Sequence, residues 1–318
     1  MRTALVLGAG GLTGQAFHLG VLTALAETTG FDGRRSDVIV GTSAGSLVAA
    51  ALAADFSAAD QAAMLDGGAL SPEGKRRLQA KRPVPALHQE AAPAAGRRPL
   101  AAGSLMAAAR RPWAVRPGAV VSGLLPAGRT TTDGIRRGIG QLHGRHWPGD
   151  GLRICAVRAR DARRVVFGSP GAPATDVGTA VAASCAIPGY FSPVYVDGQA
   201  YVDGGGHSPT NADVVLRDNP ELVVISSPMS FAPGRGTRTP DALIRLAVRR
   251  YLAREVRMLR RKGAQVVVFQ PSAADIAAMG LNPMRMLKSP KVVRTAAETV
   301  RSRVEARPEL TELLAPQR

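Results

Sequence analysis

The chain has 318 residues, 45% of them hydrophobic, long enough to bury a sizeable core as one large α/β domain or two smaller ones. Its two cysteines, Cys155 and Cys185, lie in apolar stretches without Cys-x-x-Cys or Cys/His ligand spacing, which excludes a disulfide framework and a metal site and reads as buried thiols in a reducing compartment. The net charge of +17 is carried almost entirely by arginine, with lysine only at positions 75, 81, 262, 288 and 291; coding bias accounts for part of this usage, while a basic chain still favours acidic surfaces such as anionic lipid.

Thr3 to Leu7 is an apolar run bounded by glycine and predicts a buried strand. The glycine-rich loop Gly8-Ala9-Gly10-Gly11-Leu12-Thr13-Gly14 follows, then a helical pattern from Gln15 to Leu25. Such a loop at a helix N-terminus can cradle a dinucleotide pyrophosphate, supply backbone N–H groups to an oxyanion, or simply turn the chain. The dinucleotide reading wants an acidic residue at the end of the second strand. That strand instead ends in Val40-Gly41-Thr42-Ser43, so the oxyanion reading leads. His18 reads as a packed histidine of the first helix.

The second strand, from Asp37, enters Gly41-Thr42-Ser43-Ala44-Gly45 and leaves in an alanine-rich helix to about Ala54. Small residues two before and two after a serine permit a strained strand-to-helix turn that lifts its hydroxyl clear of the sheet edge. Ser43 then stands at a helix N-terminus, where free N–H groups and the dipole favour developing negative charge. It is the candidate nucleophile.

From Asp66 to about Thr132 the composition shifts to Pro, Gly, Ala and Arg, with helix-like pieces at 100–111 and 118–125. This reads as an insertion over the site, part lid and part mobile surface. A helix from Thr132 to about His143 follows; His88, His143 and His146 sit in arginine-rich context and point to no specific chemistry. Leu152–Val157 and Arg164–Gly168 predict neighbouring strands, and Thr175–Ala186 a small-residue helix. Asp197-Gly198 between alternating apolar residues predicts a hairpin, whose second strand delivers Asp203 to Gly204-Gly205-Gly206. A carboxylate at a strand end before glycines is a candidate acid or base. Asn211–Arg217 reads as a short helix, 221–226 and 264–270 as strands, and 241–262 and 290–307 as basic helices. The alternation predicts one domain with a mostly parallel sheet covered by helices on both faces.

These blocks, Gly8 to Gly14, Gly41 to Gly45 and Asp203-Gly204-Gly205, with Ala182 to Pro193 before the last, resemble the patatin-like phospholipase family over residues 3–55 and about 176–215. The resemblance implies a three-layer α/β/α fold and a lipid acyl hydrolase that needs no cofactor or metal. It implies a dyad of Ser43 as nucleophile and Asp203 as base, and an oxyanion hole at Gly10, Gly11 and Leu12. The loop departs from the usual Gly-Gly-Gly-x-Arg-Gly: Ala9 replaces a glycine, Thr13 stands where arginine is usual, and the spacer to Gly20-Val21-Leu22 is one residue longer.

Two alternatives stand beside this reading. One is a Ser43–Asp203–His207 triad; the other is a non-catalytic lipid- or partner-binding protein of the same fold. On a helical wheel of 241–262, Ile244, Ala247, Val248, Tyr251, Leu252, Met258 and Leu259 share a face that Glu255 interrupts, with Arg249, Arg250, Arg254, Arg257, Arg260 and Arg261 opposite. The apolar face is expected to enter the core, leaving an arginine surface for peripheral contact with anionic membranes. No nucleic acid partner is expected. The N-terminus reaches glycine too soon for a secretory leader and no run nears the ~18 apolar residues of a membrane span, so a soluble, cytoplasmic protein is expected.

Overall fold

The computed structural model describes residues 1–80, 118, 125, 127–231, 240–285, 287 and 289–316. Eight strands form one sheet: β1 (Thr3–Leu7), β2 (Val38–Thr42), β3 (Leu152–Arg158), β4 (Arg163–Phe167), β5 (Val194–Val196), β6 (Gln199–Asp203), β7 (Leu222–Ser226) and β8 (Gln265–Phe269). Their order is β5-β6-β3-β2-β1-β7-β8, with β4 paired to β3. β3, β2, β1, β7 and β8 run parallel, while β4 and β6 pair antiparallel with β3. Because β4 occupies one edge of β3 from Ile154 to Arg158, β2 and β6 must share the other, at Leu152–Cys155 and Ala156–Arg158 respectively. That sharing brings the end of β6 beside the end of β2.

The period of two along each strand divides the core between the sheet's faces. Leu5, Leu7, Ile39, Ile154, Leu222 and Val224 pack on one face against helices α1 (Gly11–Thr29), α2 (Ala44–Ala53) and α9 (Ser289–Glu305). Ala4, Val6, Val38, Val40, Val223 and Ile225 pack on the other against α7 (Ala242–Arg261), through Leu252, Val256 and Leu259. The result is the expected three-layer α/β/α sandwich. The remaining α-helices among the described residues are α3 (Ala58–Asp66), α4 (Pro72–Gln79), α5 (Asp133–His143), α6 (Val177–Ser184), α8 (Ala273–Met279) and α10 (Glu309–Leu314).

Several expectations are corrected. α3, α8 and α10 are helices that the hydrophobic pattern does not announce, although Ser272 and Asp275 form a reciprocal capping box at the start of α8, a signal readable from spacing alone. The short helix expected at 211–217 is present, as a 3₁₀ helix over Ala212–Arg217. His143, read as unremarkable polar sequence, is buried, with Nε2 against Ala50 O at 2.8 Å. Within the stretch 66–132, α4 is ordered helix; the helix-like pieces at 100–111 and 118–125 lie, apart from residues 118 and 125, outside the described residues. No helix among the described residues is long and apolar enough to cross a membrane.

α7 departs from its helical wheel. Its buried stripe is Arg245, Val248, Leu252, Glu255, Val256 and Leu259, whereas Ile244 is 59% exposed. Arg245 is held by Asp241 at 2.6 Å and by the carbonyls of Pro228 and Ser230. Glu255 does not interrupt the core-facing side; it sits on it, fully paired, as described below.

Candidate active site

Ser43 stands between β2 and α2 with φ 51° and ψ −121°, a conformation that a non-glycine residue holds only when its surroundings enforce it. The enforcing contacts are explicit. The Ser43 N–H donates to Ser184 Oγ at 2.9 Å, and that hydroxyl donates to Cys155 O at 2.6 Å. The Ser43 carbonyl accepts from Ser46 N–H at 2.8 Å and from Ser46 Oγ at 2.6 Å. α2 can begin so close to β1 only because residue 45 is glycine: a Cβ there would collide with the Leu7 carbonyl. Gly41 lies in β2 opposite Leu7, and Ser43 is 4% exposed.

Asp203 is the last residue of β6, opposite Ala156 of β3, and is 7% exposed. Its carboxylate accepts through Oδ1 from Gly205 N–H at 2.7 Å, and the Ser43 side chain is its other polar neighbour. Burial pushes its pKa up to about 6, with the Ser43 side chain and the Gly205 N–H opposing the rise. Gly204 continues the turn against β3, where a Cβ would strike the Cys155 carbonyl. Ser43 and Asp203, 160 residues apart in sequence, thus meet at one sheet edge. His207 does not line the cavity that they share.

The glycine-rich loop closes the third side. Gly8 N–H donates to Ser226 O at 3.0 Å, Ala9 N–H to Pro209 O at 2.7 Å and Thr13 N–H to Pro283 O at 3.0 Å. Between these anchored groups, the N–H groups of Gly10, Gly11 and Leu12 have no hydrogen-bond partner among the described residues. Gly11 has φ 62°, and a Cβ there would lie 2.8 Å from Pro283 O. Gly14 packs against Pro228, and its N–H donates to Gly10 O at 2.9 Å. His18 is buried beneath the loop, with Nε2 at 2.8 Å from Gly8 O and Nδ1 at 2.7 Å from Ser226 Oγ. A carbonyl can only accept, so Nε2 carries the proton and Nδ1 accepts from the serine. Burial pushes its pKa down to about 4, leaving a neutral ring that holds the loop.

Gly10, Gly11, Ser43 and Asp203 line one cavity of about 440 Å³. Its other walls include Ile187, Pro209, Pro228, Met279 and Leu281. An apolar hollow with few convergent polar groups suits a long hydrocarbon ligand. Among the described residues no cluster of His, Cys, Asp or Glu could hold a metal ion. Cys185 lies behind Ser43, its Sγ 3.4 Å from Ser43 O, and burial pushes the thiol up to about 12, so it is an uncharged packing group.

The sequence reading missed the residues that brace this site. The Glu255 carboxylate on α7 accepts from Ser208 Oγ at 2.6 Å, Thr210 Oγ1 at 2.5 Å and Ala212 N–H at 3.1 Å. It thereby fixes the loop after Asp203, the same loop whose Pro209 carbonyl receives Ala9 N–H. Asn211, also in that loop, donates to Thr42 Oγ1 and to the carbonyls of Gly204 and Ser208. A lone carboxylate three residues from Leu252 and four from Leu259, on an otherwise apolar stripe, was the available signal.

The fold is similar to VipD from Legionella pneumophila, at 12% identity and TM-score 0.42, over 96% of this chain and 67% of that one. It is also similar to the type III effector ExoU, at 21% identity and TM-score 0.27, over 98% and 64%. ExoU in its heterodimeric complex with SpcU, from the type III secretion system of Pseudomonas aeruginosa, gives 21% identity and TM-score 0.31, over 98% and 61%. The chain thus spans 61 to 67% of the length of these proteins, and likenesses this distant add nothing to its assignment. No curated protein matches the sequence. The patatin-like phospholipase model, by contrast, matches residues 5–216, from β1 through the Ser43 turn to the loop after Asp203, and the chain belongs to that family.

Proposed function

We propose that the protein hydrolyses carboxylic ester bonds of lipids through a Ser43–Asp203 dyad and an acyl-enzyme intermediate. The family hydrolyses lipid esters; the roles of individual residues are our reading. The observation that carries it is that the Ser43 side chain and the buried Asp203 carboxylate are neighbours in the wall of one apolar cavity.

Asp203 takes the Oγ proton as Ser43 attacks the ester carbonyl carbon. The carbonyl oxygen, now an oxyanion, is received by the open N–H groups of Gly10, Gly11 and Leu12. Collapse of the tetrahedral species breaks the bond to the alcohol, which leaves with the proton from Asp203. A water then gives its proton to the same carboxylate and attacks the acyl-enzyme, and Ser43 Oγ departs with that proton while the fatty acid is released. A carboxylate can serve as base here because burial raises its proton affinity.

The test is labelling by a fluorophosphonate probe together with hydrolysis of p-nitrophenyl esters of rising chain length. Wild type should label and turn over, with longer acyl chains preferred, whereas Ser43→Ala should do neither while keeping its melting temperature. Substantial hydrolysis by Ser43→Ala would sink the dyad, and an unreactive Ser43 in folded wild type would favour a binding protein of this fold.

A further inference from the structure

Among the described residues, several of the large hydrophobic side chains that remain exposed lie at or beside one opening. Leu125, Ile244 and Leu281, respectively 41%, 59% and 63% exposed, line the cavity that holds Ser43. Leu243, 81% exposed, precedes Ile244 in the first turn of α7. Leu287, 99% exposed, follows in the stretch whose Pro283 covers Gly11. Single exposed leucines need no explanation, but a cluster at the mouth of an apolar cavity marks an interaction surface.

Three observations select its partner. The exposed rim is mainly leucine and isoleucine, with Tyr190 beyond Pro188 the large aromatic exposed near it, whereas protein interfaces favour aromatic and arginine anchors. It is continuous with the apolar cavity leading to Ser43, the route by which an acyl chain would enter. Its exposed flanks are basic, with Arg250 two turns along α7 and Arg285 between Leu281 and Leu287.

Resting on the acyl-hydrolase reading above, we propose that this rim is the docking surface for an anionic lipid bilayer, with Leu243 and Leu287 entering the acyl region and the cavity mouth facing the membrane. The orientation follows from topology. α7 crosses over between the parallel neighbours β7 and β8, so it runs antiparallel to them, and its N-terminus lies at the sheet edge that holds the site. At 1.5 Å rise per residue, Arg250 is ~10 Å along the axis from Leu243, while Arg257 and Arg261 are ~21 and ~27 Å away. Arg250 thus lies about one ~8 Å screening length from the docking end at physiological salt, and Arg257 and Arg261 about three. The helix therefore meets the bilayer end-on, and only the arginines near its start, with Arg285, contribute attraction. This differs from a helix lying flat on the membrane along its whole arginine face.

The experiment uses vesicles of phosphatidylcholine with and without phosphatidylglycerol, and a Ser43→Ala background for binding so that hydrolysis cannot remodel them. Co-sedimentation of Leu243→Gln/Leu287→Gln should weaken at least ~10-fold, since each leucine loses its apolar burial, and in the Ser43 background its hydrolysis of vesicle lipid should fall in parallel. Hydrolysis of dissolved p-nitrophenyl butyrate should stay within ~2-fold, as for surface changes generally. Arg257→Gln/Arg261→Gln should bind as the parent does. Undiminished binding by the leucine variant, or loss of binding by the arginine variant instead, would overturn the end-on surface. A wild-type dimer that the leucine change dissociates would assign the rim to a second copy and overturn it equally. Failure of the hydrolase reading looks different: no ester turnover by wild type, with the vesicle-binding pattern intact.

Discussion

The side-chain amide of Asn211 donates to the hydroxyl of Thr42 at 3.1 Å, across 169 residues of chain. Thr42 immediately precedes Ser43, and the same amide reaches the carbonyl of Gly204, next to Asp203, at 3.4 Å. One buried side chain therefore ties together the two turns that carry the proposed dyad, while Arg164 Nη1 donates to its Oδ1 at 3.1 Å. Asparagine also tolerates the left-handed backbone, φ 52°, that the position adopts. Asn211→Asp keeps the shape but turns a donor toward three acceptors into a buried carboxylate. We expect a loss of ~1 to 3 kcal/mol in stability, because Thr42 and the Gly204 and Ser208 carbonyls would lose their donor while Arg164 still compensates the charge, and Asn211→Ala should lower kcat at least ~10-fold by loosening the dyad. Chemical denaturation and ester kinetics at 25 °C, well below unfolding, check the pair; wild-type kcat in Asn211→Ala would show that the dyad holds its spacing without the clamp.

Asp203 makes activity depend on pH in a defined direction. It must be ionised to take the Ser43 proton, and its pKa is raised to about 6, so kcat/KM should fall tenfold per unit below about pH 6. Stability moves the other way. The folded-state pKa lies above the unfolded value of 3.8, so the native state holds the proton more tightly between the two. Stability present below about pH 4 is lost as pH rises through 6, amounting to roughly 3 kcal/mol at pH 8. Asp203→Asn, inactive, should accordingly be more stable than wild type at pH 8 and lose that advantage at pH 4. Thermal melts of both proteins across the range decide it.

Local chemistry made much of this architecture legible. The apolar runs of β1, β2, β7 and β8, the small-residue turn around Ser43 and the Asp197-Gly198 hairpin each declare themselves within about ten residues, because backbone sterics act at that range. The braces do not. Glu255 reaches residues 43 to 47 positions away, and Ser184 orients Ser43 from 141 positions away; nothing in their own neighbourhoods states a partner. The helical wheel of α7 failed at its first turn for a related reason. Ile244 has the right periodicity for the core, but the helix there has run past the sheet edge and faces the cavity instead.

The glycine loop acts through its backbone, so side-chain bulk rather than chemistry should disturb it. Gly11→Val combines a φ of 62° with a clash against Pro283, and should lower kcat by ~10² to 10³ through loss of aligned donors. Thr13→Ala should stay within a few fold. Gly45→Ala differs in kind, since its methyl would meet the Leu7 carbonyl in the sheet itself, and should yield unfolded or insoluble protein. Expression, circular dichroism and ester kinetics on the three variants separate loop geometry from fold; near-wild-type kcat in Gly11→Val would place the oxyanion donors elsewhere.

Glu255 lies beyond the residues matched by the family model, yet its carboxylate receives both hydroxyls and the N–H that hold the 208–212 loop. Burial, and then the nearby Asp213, push its pKa up, and the three donors oppose that shift. It touches no reacting atom, so it is a positioning residue. Glu255→Leu keeps the volume but strands Ser208, Thr210 and Ala212, at a cost of ~1 to 3 kcal/mol for each group left unsatisfied. Glu255→Gln can reorient so that Ser208 accepts, retaining part of the network. The expected order of kcat is wild type, then Gln, then Leu. Leu252→Ala supplies the control: it removes core packing from the same helix, at ~2 to 5 kcal/mol, without removing any hydrogen bond of the loop. If Leu252→Ala lowers kcat as much as Glu255→Leu at a temperature where both are folded, the effect is general destabilisation. If only the Glu255 series falls, and fluorophosphonate labelling slows in the same order, α7 sets the geometry of a site to which it contributes no reacting group.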